Sequence, residues 1–330
     1  MTTIDVILPT CNREALVART LDSLHRARVP AGLDVRILVV DNASRDGTRA
    51  LVRRAAERLG SRLQYLFVAT PGKPHALNAG IAATDGDLVG LIDDDEEIER
   101  GWFECIADAF ADPRVDFIGG RVLPRWGAPR PAWVGEGYLG VIGWVDPGPD
   151  ERPMNSTYPG ILMGGNAVIR RRALHAAGPY SSALNRTGTR LLGCEDEDMY
   201  HRLLALGAHG RYRPDLVVYH YVPAERLTKK YFRSWCFWRG VSLGVMDRDR
   251  PSQVPYLAGI PRYHIGRAIR GVPGLIGLAA TSPAERFERE LAWWDVAGFL
   301  WGKHGHRAGA APTGNPAHVN DAAVDGEHLA

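Results

Sequence analysis

Only four cysteines, Cys11, Cys105, Cys194 and Cys236, occur in 330 residues, and they lie too far apart to suggest a disulfide ladder or a zinc site. A reducing compartment suits such a chain. No apolar run reaches the ~18–20 residues that a membrane-spanning helix needs; the longest, at 271–280 and 296–301, are broken by glycine or too short. The start, Met-Thr-Thr-Ile-Asp, lacks the basic segment and long apolar stretch of a secretory signal. A cytoplasmic protein that does not span a bilayer is expected. The formal net charge of +2 is too small to draw nucleic acid, so no nucleic-acid partner is expected. That charge is unevenly spread. Residues 201–308 carry 17 lysines and arginines against 8 aspartates and glutamates, interleaved with Trp, Tyr and Phe. Such a mixture suits a phosphate-bearing acceptor, or peripheral contact with an anionic membrane at its inner face through Lys229, Lys230, Arg233 and Arg239.

What is present is ample core material, 45% hydrophobic residues, in an alternating rhythm. Strand-like runs at 5–9, 35–41 and 63–69 alternate with helical segments at 14–27 and 46–59. That order predicts an α/β protein with a mostly parallel sheet flanked by helices. The runs at 4–8 and 35–40 are almost continuously apolar, as expected for strands covered on both faces. A helix at 75–83 and a strand at 88–92 follow, then the acids 93–97, which therefore stand at the carboxyl end of a strand. In open α/β sheets ligands bind there. Residues 121–157, rich in Pro, Gly and Trp, read as a long ordered loop over the site. Helices at 170–177 and 195–206 and a strand at 216–220 come next. An aromatic, basic region runs from 225 to about 306, and the last residues, 308–330, read as a disordered tail.

Two acidic motifs carry the chemistry. Asp93, Asp94, Asp95, Glu96 and Glu97 repel one another unless something positive compensates. A divalent cation, Mg²⁺ or Mn²⁺, does so and can bridge to the two phosphates of a nucleotide donor. Glu195, Asp196, Glu197 and Asp198 open a helix, whose positive end keeps a carboxylate such as Asp196 ionised and able to take a proton from an acceptor hydroxyl. Asp41 and Asn42 end another strand. Pro9, Thr10, Cys11, Asn12 and Arg13 join the first strand to the first helix and offer N–H groups to a base or phosphate. Lys73, just before a helix, is placed to meet a phosphate. His220 ends a strand and is a candidate third metal ligand.

Taken in order, Pro9-Thr10-x-Asn12-Arg13, Asp41, Gly72-Lys73 with Leu77-Asn78-x-Gly80, Asp93-x-Asp95, Gly164-Gly165-Asn166 and Glu195-Asp196-x-Asp198 resemble glycosyltransferase family 2, inverting enzymes of GT-A fold. The resemblance spans roughly residues 4–225. It implies a Rossmann-like GT-A domain at 1–225, with a nucleotide-sugar half at 1–120 and an acceptor half at 121–225, followed by a helical, aromatic and basic C-terminal extension at 226–307. It further implies a nucleotide-sugar site formed by Pro9, Thr10, Asn12, Arg13, Asp41, Lys73, Asn78, Asp93 and Asp94. Asp95, Asp93 and His220 become the metal ligands, Asp196 the catalytic base and Glu195 its orienting partner. Gly164, Gly165 and Asn166 fall to the acceptor side, where Trp126 and Trp133 can stack on sugar rings. The acceptor so implied is a glycan or a lipid-linked molecule. Family members commonly carry an aromatic residue where Cys11 stands. Processive members have membrane helices and a Gln-x-x-Arg-Trp signature; residues 231–239 lack both, so a single transfer per encounter is expected. Two rival readings are a non-catalytic sugar-nucleotide-binding assembly partner and a sugar-nucleotide pyrophosphorylase. The second calls for a glycine-rich loop where Pro9–Arg13 stands, and the joint presence of Asp93, Asp95 and Asp196 argues against the first.

Overall fold

Apolar side chains on both faces of the first strands dictate a sheet buried between two helical layers. In β1 (Thr2–Thr10) and β2 (Leu33–Asp41), residues Ile4, Val6, Leu8, Val35, Ile37 and Val39 enter one core, while Ile7, Leu38 and Val40 enter another. The period of two therefore serves two cores at once, which is why these strands read as unbroken apolar runs. Helices α1 (Glu14–Arg26), α2 (Thr48–Leu59) and α4 (Trp102–Phe110) cover the first core. Helices α3 (Lys73–Ala82), α5 (Arg171–Ala177) and α6 (Glu195–Ala205) cover the second. The computed structural model describes residues 1–184, 191–249, 254–257, 259–262, 265–266, 269 and 282–305.

The remaining strands are β3 (Leu63–Phe67), β4 (Leu88–Leu91), β5 (Glu96–Ile98), β6 (Phe117–Trp126), β7 (Arg152–Met154), β8 (Ala167–Arg170) and β9 (Gly210–Val222). They form one sheet in the order β3-β2-β1-β4-β8-β6-β9-β5, with β7 paired to β9. The four strands from β3 to β4 run parallel, and the second half is mixed because β8 lies antiparallel to both β4 and β6. The chain reverses its direction of travel across the sheet at β1, whose neighbours are β2 and β4. A crevice opens beyond the carboxyl ends of strands at such a point.

The segment at 121–157 is more regular than its composition suggests. Its first six residues complete the ten-residue strand β6, and β7 lies near its end. Pro124 is tolerated because β8 pairs only with Phe117–Gly119, leaving β6 with β9 alone at that point. The strand expected at 216–220 is the end of a thirteen-residue strand. The helix expected at 46–59 starts at Thr48, because the Asp46 carboxylate accepts from the Thr48 and Glu14 backbone N–H groups. The tail at 308–330 and the apolar run at 271–280 lie outside the described residues.

A third core cluster is closed by two helices lying side by side, α7 (Lys229–Asp249) and α8 (Pro283–Leu300). Ion pairs Arg233–Glu290, Arg239–Asp295 and Lys303–Asp247 set their common direction. Glycine permits their close approach: a Cβ on Gly298 would stand 1.9 Å from the Phe237 carbonyl oxygen. Ser282 and Glu285 form a reciprocal capping box at the start of α8. Among the described residues, no helix is long and apolar enough to cross a membrane.

Candidate active site

Beyond the ends of β1, β4 and β9, and against the starts of α3 and α6, lies a cleft of about 940 Å³. Thr10, Arg13, Lys73, Asp93, Asp94, Asp95, Glu195, Asp196 and His220 all line it. Residues scattered over more than 200 positions of the sequence thus meet at one place.

The acidic run that ends β4 is resolved into separate contacts. Lys73 Nζ lies 2.7 Å from Asp93 and 3.7 Å from Glu195, tying the β4 loop to the start of α6. Asp94 is buried and accepts from the Thr10 hydroxyl at 2.8 Å and from Arg13 at 2.7 Å. Asp95, also buried, faces Arg13 at 3.1 Å, Arg226 at 3.2 Å and His220 Nε2 at 3.5 Å. Glu96 turns inward, accepts from the Asp93 N–H and lies where only glycine fits; a Cβ on Gly165 would meet its oxygen at 2.3 Å. Glu97 takes Arg19 and Arg125, both at 2.6 Å.

These partners set the charges. Burial pushes Asp94 up to about 6 against the opposing pull of Arg13. Burial would raise Asp95 as well, but its contacts with His220 and with the guanidinium groups of Arg226 and Arg13 hold it well below the usual carboxylate range. Burial and the neighbouring Asp93 and Asp95 push Glu96 far up. Burial disfavours the Lys73 ammonium, yet Asp93, Asp196 and Glu195 more than offset this, so Lys73 stays protonated.

Asp196 sits in the first turn of α6. The residue before the helix, Cys194, has φ 69°, a left-handed conformation that costs a non-glycine residue free energy and turns the chain sharply into the cleft. Asp196 Oδ1 is buried without a hydrogen-bond partner. Burial raises its pKa to about 7; Lys73 and the backbone N–H of Gly164 oppose the shift, and Glu195 and Asp93 add to it. The carboxylate has room because residue 164 has no side chain. A Cβ there would stand 2.1 Å from Asp196 Oδ1. Gly164→Ala is therefore expected to displace Asp196 and lower turnover about 100-fold, the effect of misplacing a reacting group by ~1 Å. The far-UV circular dichroism should be unchanged; a wild-type rate in this variant contradicts the cradle.

Several residues marked in the sequence make contacts within the protein and do not line the cleft. Asn78 clips Tyr180 by a reciprocal pair of backbone contacts, at 2.9 and 2.8 Å, and does not line the cleft. Asn166 is fully buried, accepts from Trp102 Nε1 and donates to the carbonyls of Arg121 and Leu216. Asn12 lies outside the lining too, its backbone at φ 54° and its side chain accepting from the Arg45 N–H. Asp41 is buried behind the lining, accepting from Ser44 N–H and the Tyr65 hydroxyl, while the next residue, Asn42, lines the cleft. Trp126 packs edge-on against Trp144, and Trp133 against Phe232 and Phe287, so neither faces the cleft. Aromatic lining comes instead from Tyr138, Tyr158, Tyr231 and Trp235, the last two one turn apart on α7. Arg226, unmarked in the sequence, approaches His220 Nε2 at 2.9 Å as well as Asp95. It sits in a short 3-10 turn, Ala224–Arg226, which has no periodicity to betray it. Arg239, offered above to headgroups, is instead paired with the buried Asp295 within the cleft wall, and Arg233 is paired with Glu290.

A cleft of this composition at the switch point of a GT-A-like sheet is that of a glycosyltransferase using a nucleotide-sugar donor. Residues 5–178, more than half of the chain, match the family model of Glycosyl transferase family 2, and the chain belongs to that family. It is 26% identical over 244 residues to the succinoglycan biosynthesis protein ExoM of Rhizobium meliloti, covering 70% of this chain and 72% of that one. It is also 26% identical over 180 residues to the glucosyl-dolichyl phosphate glucuronosyltransferase of Haloferax volcanii, covering 53% of this chain and only 56% of that relative. Among solved structures, the mannosyltransferase PcManGT from Pyrobaculum calidifontis, in complex with GDP-Man and Mn²⁺, superposes with a TM-score of 0.61 at 22% identity over 91% of this chain and 86% of that one. GalNAc-T7 with UDP, GalNAc and Mn²⁺ superposes with a TM-score of 0.54 at 12% identity, over 81% and 54%.

Proposed function

We propose that this enzyme transfers a sugar, with inversion, from a UDP-, GDP- or dTDP-linked donor to a hydroxyl of a glycan or lipid-linked acceptor, using a divalent cation and Asp196 as base. The observation that carries the reading is the unpartnered, buried Oδ1 of Asp196, held in the same cleft as Asp95 and Lys73. A buried acceptor atom with nothing to accept is costly unless a ligand supplies the donor. An acceptor hydroxyl supplies one. Asp196 takes its proton as the oxygen attacks the anomeric carbon from the side opposite the nucleotide, so configuration inverts. With its pKa raised to about 7 by burial, the carboxylate is a stronger base than an exposed aspartate.

Fit to a cation rests on the chemistry at Asp95. Its carboxylate and His220 Nε2 are 3.5 Å apart, close enough to share one ion, which would take the place now held by the Arg13 and Arg226 guanidinium groups. Among the described residues, no three His, Cys, Asp or Glu side chains converge on a single point. Two protein ligands plus diphosphate oxygens suit Mn²⁺ or Mg²⁺, which commonly completes its shell with substrate phosphates. Both solved neighbours named above were captured with Mn²⁺. When bound, such an ion supplies positive charge to the departing diphosphate. Asp93, clamped by Lys73, holds that lysine at the cleft as a second source of positive charge. Tyr231 and Trp235 form the wall on which an acceptor sugar stacks. The membrane's inner face is the matching location for a lipid-linked acceptor.

A panel of nucleotide sugars tests the donor. In the presence of Mn²⁺ one of them is expected to raise the melting temperature by mass action, and to raise it much less after chelation. No stabilisation by any member of the panel would speak for a different ligand.

A further inference from the structure

The outer face of α8 has a composition that transfer chemistry does not call for. Trp293, Trp294, Leu300 and Trp301 stand 41%, 40%, 36% and 55% exposed. With the exposed Ala297 they follow the i, i+1, i+4, i+7, i+8 spacing of a single helical stripe. The opposite face is fully occupied: Phe287, Leu291, Gly298 and Phe299 are buried against α7 and the third core cluster.

Of the acids on α8, Glu288 and Asp295 face the protein, while Glu290 lies on the stripe itself and accepts from Trp294 Nε1 at 3.2 Å. All four acidic side chains are engaged within the protein: Glu285 in the capping box, Glu288 with the Gly137 N–H, Glu290 with Arg233, and Asp295 with Arg239. Arg286 and Arg289 lie at the start of the helix, where α7 contributes the exposed Lys229 and Lys230, while His304 stands exposed beyond the other end. A tryptophan-rich apolar stripe bordered by positive charge and cleared of uncommitted acids is complementary to one surface in particular. Indole rings settle at the level of lipid headgroups, and the basic border meets anionic phosphates.

We infer that the outer face of α8 docks on an anionic lipid bilayer, with Trp293 and Trp301 as the inserted side chains. The contact lies on α8 and its tryptophans, and the polar face of α7 supplies only the charged border. Asp295, on the opposite side of α8, lines the cleft. Docking therefore brings the cleft wall to within about one helix diameter, ~10 Å, of the membrane. The inference gives a location to the lipid-linked acceptor proposed above and rests on that reading only for its purpose.

The test uses the full chain with vesicles of phosphatidylcholine alone and of phosphatidylcholine mixed with phosphatidylglycerol. Co-sedimentation with the mixed vesicles is expected, with a blue shift of tryptophan emission and a fraction that stays bound at high salt because apolar insertion is not screened. The double variant Trp293→Ser/Trp301→Ser should lose about tenfold or more in partitioning. Its melting temperature and its stabilisation by the donor nucleotide should be unchanged. Lys229→Gln/Lys230→Gln should weaken binding mainly at low salt. Wild-type protein that stays in the supernatant with both vesicle types overturns the inference. So does a double variant that binds as well as wild type, or a wild-type dimer that the double variant alone dissolves, since a second copy would then be the occupant. Failure here leaves the donor stabilisation untouched, so the two readings fall separately.

Discussion

Asp196→Asn is expected to lower transfer by about 10²- to 10⁴-fold, the usual contribution of a positioned general base, while donor affinity stays nearly unchanged. The amide has the size of the carboxylate, so the space left by Gly164 accepts it and the start of α6 should keep its shape. It cannot take a proton. The expected split, a collapse of kcat with little change in the donor KM, marks a group that acts on the acceptor in the transition state. The pH profile is a second handle. Burial holds the Asp196 pKa at about 7, and only the ionised form can act as base. Turnover should therefore rise with pH through about 7 and fall as pH drops below it. In Asp196→Asn the residual rate should lose that limb. Equal rates in the two proteins, or an acid limb that survives the substitution, would falsify the assignment.

Chelation of divalent metal is expected to have the next largest effect, on the order of 100-fold or more, with activity restored by added Mn²⁺. Two negative phosphates must depart from a cleft that already holds Asp93, Asp94, Asp95 and Glu195. Without a cation beside Asp95, Lys73 and Arg13 face that charge while also serving the carboxylates they now pair with. Asp95→Asn should reproduce the loss and resist rescue by Mn²⁺, because the neutral amide is a weak ligand. Asp95 also anchors Arg13, Arg226 and His220. The variant should therefore be less stable as well, and the rate must be measured where both proteins are folded. An enzyme indifferent to chelation after thorough dialysis would refute the role given to the cation.

The first half of the molecule was legible because its signals are local. Ile4–Leu8 and Val35–Val40 are apolar on both faces, and only a sheet covered on both sides buries them. The acidic run after β4 was equally legible as a site. What each acid does was not legible, since every partner comes from elsewhere: Arg13 and Arg19 from α1 and the loop before it, Lys73 from α3, Arg125 from β6, and Arg226 from a turn after β9. Glu96 reads like its neighbours, yet it is buried against Gly165 and makes no ion pair among the described residues. Composition misled at the tryptophans. Trp126 and Trp133 have the amphipathic rings that stack on sugars, but they are half-buried against neighbouring aromatics of the third core cluster and do not line the cleft. Tyr231 and Trp235 line the cleft instead because α7 turns that face inward, a choice made by its packing on α8 through Gly240 and Gly298. The Gly164-Gly165-Asn166 motif was visible as a string of letters. Its physical meaning, two missing side chains that admit Asp196 and Glu96 and one amide that ties β6 to β9, emerged only in three dimensions.

The most direct test of the account is to locate Mn²⁺ by its anomalous scattering in crystals grown with a nucleoside diphosphate. The expected result is one manganese peak beside Asp95 and His220, in contact with the diphosphate, with Arg13 or Arg226 drawn away from the Asp95 carboxylate. A nucleotide bound in the cleft with no manganese near Asp95, or a peak on another surface of the protein, would contradict the central claim.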